Sequence, residues 1–423
     1  LNLSRDTFFK LKSPEEVKKI LSDFGSCGDE TVPLEEALGR TLSRDLVTDE
    51  DLPGFSRTVV DGYAVKAKDT FGASESLPCL LEVKGEVMMG ESPELQVGGG
   101  TAAKIPTGGM MPKGADAAVM KEYCHTLDES TIEVSRAVSP LENVIRPGDD
   151  FAKGTIILKK GHCLRPQDLG LMAAMGLGQI SVYRKPRVAL VSTGDEIVEI
   201  DHHLEPGQIR DTNRYTLGAF CKQLGAEPVY MGLCRDDFNC LHRLIAQAID
   251  KADTVWVSGG SSVGTKDLTL SVFEALPDFE LLVHGISISP GKPTIIGRSG
   301  SQPLIGLPGH VASALVVAHV FMTPLLMALS GQPVLPGRKT IELEAVITRN
   351  VDSTNGREDY IRVRLHDTDG VLTAEPLFGK SGLISTLVEA EGLVRVDMNT
   401  EGLYRGQKVK VILFKACGVG GYR

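Results

Sequence analysis

The sequence predicts a multidomain α/β protein: a doubly wound, parallel sheet, a β-rich module inserted near the N-terminus, an extended outer domain and a C-terminal β barrel. Three observations carry that reading. Apolar β runs alternate with helical patterns between Lys185 and Ser330, short strands without helices fill Asp45 to Asn143, and only β patterns follow Lys339. At 423 residues the chain also exceeds what one compact core accommodates.

In chain order, the first element is a helix. Ser13-Pro14-Glu15-Glu16 supplies a cap, a proline at the first helical position and acidic residues in the first turn, and Val17, Ile20, Leu21 and Phe24 recur at helical spacing. A second short helix is expected over Leu34 to Leu42, which starts after Pro33 and contains Gly39. Strands follow at Leu80 to Val87, Thr101 to Ile105, Ala117 to Glu122 and Thr131 to Val138. After an Arg-Pro-Gly-Asp-Asp turn come a strand at Thr155 to Leu158 and a helix from Pro166 to Met175. The β runs at Val188 to Ser192, Pro228 to Gly232, Thr254 to Ser258 and Pro303 to Leu307 then alternate with helices at Tyr215 to Leu224, Phe238 to Lys251, Leu268 to Leu276 and Val311 to Leu329. Strands at Thr340 to Ile347, Asp359 to Leu365, Gly370 to Pro376 and Lys408 to Leu413 complete the chain. The expected domains are therefore 1–44 with 144–182 (outer), 45–143 (inserted), 183–330 (α/β) and 331–423 (barrel).

Hydrophobic residues at 42% and charged residues at 24% are ordinary globular usage, so the whole chain is expected to fold. The net charge of −10 argues against a general nucleic-acid binder, because phosphate backbones are held by clustered Lys and Arg. An anionic substrate then needs local help from helix N-termini, a few placed cations or a divalent metal. Eight cysteines without a CxxC pair or zinc spacing fit reduced thiols in a cytoplasmic setting. Neither a signal-peptide core nor an apolar run of about 20 residues is read from the sequence, which argues against membrane association.

Ligands of open parallel sheets bind beyond the carboxyl ends of the strands. Three glycine-rich junctions stand there: Ser192 to Glu196, Ser258 to Asp267, and Gly306 to Ser313. Glycine lets backbone approach a ligand, and amides at the following helix starts offer partial positive charge to an oxyanion. The second loop has neither P-loop nor dinucleotide spacing. Asp195, Glu196, Asp236, Asp237 and Asp267 lie at the same edge and suit Mg²⁺ bound with phosphate oxygens. A structural role is the alternative for some of them, since Asp237 can cap the helix starting at Phe238 and Asp195 a short turn.

These motifs stand in the order of a known family. Val60-Asp61-Gly62-Tyr63-Ala64-Val65, Ile105-Pro106-Thr107-Gly108, Arg146-Pro147-Gly148-Asp149-Asp150, Ser192 to Glu196, Asp211-Thr212-Asn213-Arg214, Arg235-Asp236-Asp237, the Ser258 to Asp267 loop, Pro290-Gly291-Lys292-Pro293 and Gly306 to Gly309 together resemble the molybdopterin molybdenumtransferase family, which includes the C-terminal domain of gephyrin. The resemblance covers essentially the whole chain. It implies an L-shaped homodimer whose active site lies between the α/β domain of one subunit and the inserted domain of the other, so that Asp61 and Thr107 act in trans. It implies that Asp61, Thr107, Asp150, Glu196, Asp236 and Asp267 serve activity or ligand binding, with Asp236 and Asp267 positioning nucleotide or Mg²⁺.

The same resemblance implies that molybdopterin-AMP and molybdate are the substrates, that the phosphoanhydride is cleaved with release of AMP, and that an adenylyltransferase is a candidate partner. The expected ligand-contacting set is Thr193, Gly194, Ser258, Gly259, Gly260, Ser261, Val263, Gly264, Lys266, Lys292, Pro308, Gly309, His310, Arg357 and Ser381. Arg362 also resembles a cleft-facing position. Arg357, Arg362 and Ser381 have ordinary alternatives as solvated strand charges and a turn serine. So does Asp61, as a turn residue before Gly62.

Departures from the family pattern bear on specificity. Gly285 and Ser289 stand where the family often carries lysine, and Val311 replaces a proline after His310. Lost positive charge beside an oxyanion weakens binding or changes which oxyanion is preferred, which motivates a tungstate-loading alternative. His310 compensates if protonated, although a helix N-terminus disfavours imidazolium. A non-catalytic scaffold on the same fold and an adenylyltransferase are the other readings. Retention of the carboxylates disfavours the first, and the extra domains disfavour the second.

Overall fold

The computed structural model describes residues 11–259, 268–333 and 342–414. They form two compact units: one comprises the chain up to Ser43, Gly161–Gly170 and everything from Gly178 onward, the other Arg44–Lys160 with Leu171–Leu177.

The second unit carries the β-rich segment expected at 45–143, but it also takes in the chain to Lys160 and Leu171–Leu177, which the sequence reading gave to the outer domain. Its six-stranded sheet runs Ala117–Met120, Gly62–Val65, Thr101–Ile105, Cys79–Glu86, Thr131–Val134, Cys124–Thr126. Val65, Ala102, Ala117, Val119 and Ile132 pack as its core. Two predicted strands end early. The run from Ala117 stops at Met120, where Lys121–Tyr123 turns into a 3₁₀ helix, and the run from Thr131 stops at Val134. Short antiparallel pairs, Arg57–Thr58 with Val144–Ile145 and Leu46–Val47 with Ile156–Leu158, bind the entering and leaving chain together.

In the first unit, the helix Pro14–Ser22 is closed by a reciprocal cap: the Glu16 amide donates to Ser13 Oγ at 3.3 Å, and the Ser13 amide to Glu16 Oε2 at 2.8 Å. It buries Val17 and Leu21. The helix expected over Leu34 to Leu42 does not form beyond the 3₁₀ turn Leu34–Glu36. Leu38 is exposed, Gly39 has φ +74°, and the amides of Gly39 and Leu42 donate to Leu164 and His162 instead of continuing a helix. Tertiary pairing overrides the local pattern here. The preceding strand, Asp29–Pro33, pairs antiparallel with Gln179–Tyr183.

The α/β sheet has the order Glu227–Cys234, Arg187–Thr193, Thr254–Ser258, Gln302–Leu307, Ile295–Ser299, Phe279–His284. The first four strands are parallel, as their apolar runs predict. Ile295–Ser299 alone runs the other way, pairing antiparallel with both Gln302–Leu307 and Phe279–His284, so the sheet is mixed rather than wholly parallel as expected. Arg187–Thr193 lies between the two strands that follow it in sequence, which makes its carboxyl end the topological switch point.

The helical stretch Val311–Leu329 spans 19 residues with mean hydropathy 2.0, enough by length and composition to cross a membrane. This corrects the expectation that no such apolar run exists. Its Val317, Phe321, Met322 and Leu325 pack with Val17, Leu21, Phe220 and Trp256 in one apolar core. The fold's interior, rather than lipid, therefore accounts for its hydrophobicity.

The C-terminal strands close into a five-stranded barrel. Glu358–Thr368 pairs with both Val371–Pro376 and Gly392–Val396, and Glu342–Ile347 and Lys408–Leu413 complete the ring. The strand Gly392–Val396, which the pattern reading passed over, is the one that closes it. Ile288–Ser289 joins in parallel alongside Glu358 and Asp359, which fastens the Pro290–Pro293 segment to the barrel.

Candidate active site

At the switch point, Thr193 ends the central strand and is buried. Its hydroxyl donates to Asp236 Oδ1 at 2.8 Å and lies 3.2 Å from the Arg235 carbonyl. The Asp236 amide donates to Asp195 Oδ1 at 3.3 Å. Two exposed carboxylates, Asp195 and Asp236, are thereby held side by side, and Glu196 folds back so that its Oε2 would lie 3.0 Å from a Cβ placed on Gly194. Asp237 takes the capping role instead, accepting from the Cys240 amide at 2.7 Å.

Gly259 adopts φ +108°, and a Cβ there would stand 2.0 Å from the Thr193 carbonyl oxygen. Only glycine lets these two strand ends approach so closely. A Cβ on Gly309 would lie 3.6 Å from Gly259 Cα, so the third junction is adjacent as well. The three junctions therefore do converge. Two of their amides are nevertheless spent within the protein, since Gly194 donates to Cys234 O and Gly259 to Leu307 O. Close backbone approach, rather than N–H donation, is what these two glycines contribute. The amides of His310 and Val311 make no hydrogen bond among the described residues, as befits a helix start.

The barrel closes on the same helix start. The Ala312 amide donates to Ser381 O at 3.2 Å, and a Cβ on Gly382 would lie 3.4 Å from His310 Cδ2. Arg362 is 8% exposed and donates to Thr386 Oγ1 at 2.7 Å and to Gly379 O at 2.9 Å. It meets no carboxylate among the described residues, and burial holds its pKa below the usual value. A guanidinium in that position carries uncompensated charge. Arg357 differs, because Asp359 neutralises it at 3.0 Å while also accepting from Ser353 Oγ at 2.7 Å. Lys292 is exposed and follows Gly291, whose backbone is pressed against Val317. Gly285 has φ +92°, a conformation in which a lysine would be strained.

Asp61, Thr107 and Asp150 belong to the other unit. Asp61 Oδ1 accepts from the Thr107 amide at 2.8 Å and its hydroxyl at 2.9 Å, with Lys121 Nζ 3.9 Å from Oδ2. The Thr107 hydrogen bonds, more than Lys121, hold the Asp61 pKa below the usual carboxylate range. Gly62 fixes its place, because a Cβ there would meet Val119 O at 1.8 Å. Asp150 is exposed and its amide donates to Leu52 O at 3.1 Å. Among the described residues it makes no hydrogen bond or ion pair with Asp61 or Thr107.

Gly260, Ser261, Val263, Gly264, Lys266 and Asp267 lie outside the described residues. The sequence motif containing Asn213 assigns it no role. Its Nδ2 donates to Gly309 O at 2.8 Å, tying the start of the helix Asn213–Gln223 to the third junction. Asn213 Oδ1 and Asp211 Oδ2 are buried without a hydrogen-bond partner among the described residues. No spacing rule signals this tie, since it joins residues 96 apart. Among the described residues no group of three or more His, Cys, Asp or Glu side chains is poised to hold a metal alone.

Comparison with known proteins places these features. The MoeA N-terminal region (domain I and II) matches residues 12–176, the family described as a probable molybdopterin binding domain residues 189–328, and the MoeA C-terminal region (domain IV) residues 344–414. Molybdopterin molybdenumtransferase of Bacillus subtilis is 31% identical, covering 91% of this chain and 90% of its own length. That of Haemophilus influenzae is 32% identical, covering 90% and 93%. The solved molybdopterin biosynthesis MoeA protein of Pyrococcus horikoshii aligns with TM-score 0.82 and 31% identity over 96% of this chain and 100% of its own. The chain therefore belongs to the MoeA, or molybdopterin molybdenumtransferase, family.

Proposed function

We propose that this protein completes the molybdenum cofactor, using molybdate and adenylylated molybdopterin and releasing AMP as the metal passes to the dithiolene. The observation that carries this reading is the convergence, in one unit, of the Thr193–Asp236–Asp195 carboxylate group, the Gly259–Gly309 approach and the uncompensated Arg362 beside the Ser381 loop. Carboxylates alone repel an anionic substrate, whereas carboxylates beside a buried cation and free helix amides suit a nucleotide phosphate and a tetrahedral oxyanion together.

Mg²⁺ fits the donor set. Asp236 and Asp195 offer two adjacent carboxylates, and Mg²⁺ ordinarily takes one or two of these with phosphate oxygens and water. When bound, the ion would neutralise charge developing on the phosphoanhydride. Thr193 orients Asp236, Arg362 and the His310–Val311 amides draw the oxyanion, and Gly259 lets the Thr193 strand end and the Gly309 turn close on one another. Asp61, kept ionised by Thr107, completes the cleft of a partner subunit in a homodimer, where Lys121 adds a nearby positive charge.

Incubation of the protein with adenylylated molybdopterin, Mg²⁺ and molybdate is expected to release AMP and to reconstitute a cofactor-free molybdoenzyme. Failure to release AMP with either molybdate or tungstate would sink the reading. A preference for tungstate would favour the second reading, motivated by Gly285 and Ser289 in place of lysines.

A further inference from the structure

The helix Phe238–Ile249 opens on an aromatic ring that the proposed reaction does not use. Phe238 is 39% exposed and directly follows the Asp236–Asp237 turn. Leu241, Ile245 and Ala248 of the same helix are buried with Val257 and Phe273 in an apolar cluster to which Phe238 does not belong. Capping does not require the ring either, because Asp237 already accepts from the Cys240 amide at 2.7 Å.

One face of the ring is occupied. His242, one turn along the helix, lies nearly parallel to it, with ring centroids 6.0 Å apart and planes 16° apart. Side chains at i and i+4 share one side of a helix and lean toward its N-terminus. His242 therefore backs the face turned to the helix body, and the opposite face looks past the helix start. Asp236 stands at that start, where it receives the Thr193 hydroxyl and gives its amide to Asp195. Two peptide units separate Asp236 from Phe238, so their Cα atoms lie at most about 7 Å apart. That span is comparable to the distance from a nucleotide's phosphate to its base.

We propose that the open face of Phe238 is the stacking platform for the adenine of the adenylylated substrate and of AMP, with His242 as its backing. The identity of the ligand rests on the proposed function, which puts nucleotide phosphates at the Asp195–Asp236 carboxylates. An aromatic side chain suits a purine because both present flat π faces and the side chain has little rotational freedom to lose. The contact also needs no charge, which spares the base any repulsion from a chain of net charge −10. Any flat heteroaromatic ring fits such a surface, so the pterin end of the substrate is the competing occupant.

The test measures binding of AMP, of ribose 5-phosphate, which lacks the base, and of free pterin to the full-length protein with Mg²⁺ by calorimetry. AMP is expected to bind about tenfold more tightly than ribose 5-phosphate. Phe238→Leu keeps an apolar side chain without a π face, and should lower AMP affinity about tenfold while leaving ribose 5-phosphate affinity and the thermal melt unchanged. Phe238→Trp should restore AMP binding and report it directly through quenching of an exposed indole, since the native Trp256 is 1% exposed. Equal losses for AMP and ribose 5-phosphate in Phe238→Leu, or no loss for either, would overturn the platform. Quenching of Phe238→Trp by pterin but not by AMP would overturn its assignment to adenine. The two readings fail separately. If the wild type binds AMP and Phe238→Leu binds it equally well, the platform falls and the proposed function stands. If the AMP pattern is as expected but no AMP is released from adenylylated molybdopterin, the proposed function falls and the platform stands. Absence of AMP binding to the wild type would remove the platform as well.

Discussion

Asn213 is the residue whose role burial reveals and spacing conceals. Its amide group satisfies the Gly309 carbonyl, and nothing else among the described residues does so. Replacing it by alanine strands that carbonyl and loosens the third junction against the first helix. Asn213→Ala is expected to cost about 1–3 kcal/mol in denaturant unfolding and to lower AMP release relative to wild type. Equal stability and rate would show that the tie is dispensable. Asp61 and Thr107 illustrate the opposite case. Their motif was legible from sequence, and the 2.8 Å and 2.9 Å hydrogen bonds give it a physical content that sequence lacks: a carboxylate held ionised at a sheet end.

The strand-end junctions show how element geometry sorts residues that look alike in sequence. Gly259 and Gly309 both sit in glycine-rich turns, yet only Gly259 combines positive φ with a blocked Cβ position. Gly259→Ala is expected to destabilise the protein by roughly 2–4 kcal/mol and to abolish AMP release, because the Thr193 strand end must move. Gly309→Ala is expected to fold with near-native stability, since its Cβ meets only ordinary contact at 3.6 Å. A thermal melt of both variants decides the matter, and similar losses in the two would refute the distinction. The expected Leu34–Leu42 helix failed for a related reason. Its apolar spacing is genuine, but exposed Leu38 gains nothing from burial, and the backbone finds partners at His162 and Leu164.

For the whole molecule, the candidate residues divide between two units, with Asp61, Thr107 and Asp150 in one and Thr193, Glu196, Asp236, Gly309, Arg362 and Ser381 in the other. The proposed site shared between two copies of the chain predicts complementation. Asp61→Ala and Asp236→Ala should each be inactive as homodimers, whereas a purified heterodimer of the two should recover about half the wild-type rate, because one of its two clefts is intact. An inactive heterodimer would place both residues in a single subunit's site. By itself the sequence determined the four parallel strands, most helices, the barrel class and the family, because apolar periodicity and ordered motifs are local signals that survive without knowledge of neighbours. The tertiary structure alone decided the two antiparallel pairings of the sheet, the strand that closes the barrel, the Asn213–Gly309 tie and the burial of Arg362 away from any carboxylate among the described residues. Each depends on which distant segments meet, and the free energy of pairing or desolvation is set by that meeting rather than by the residue's own neighbours in the chain.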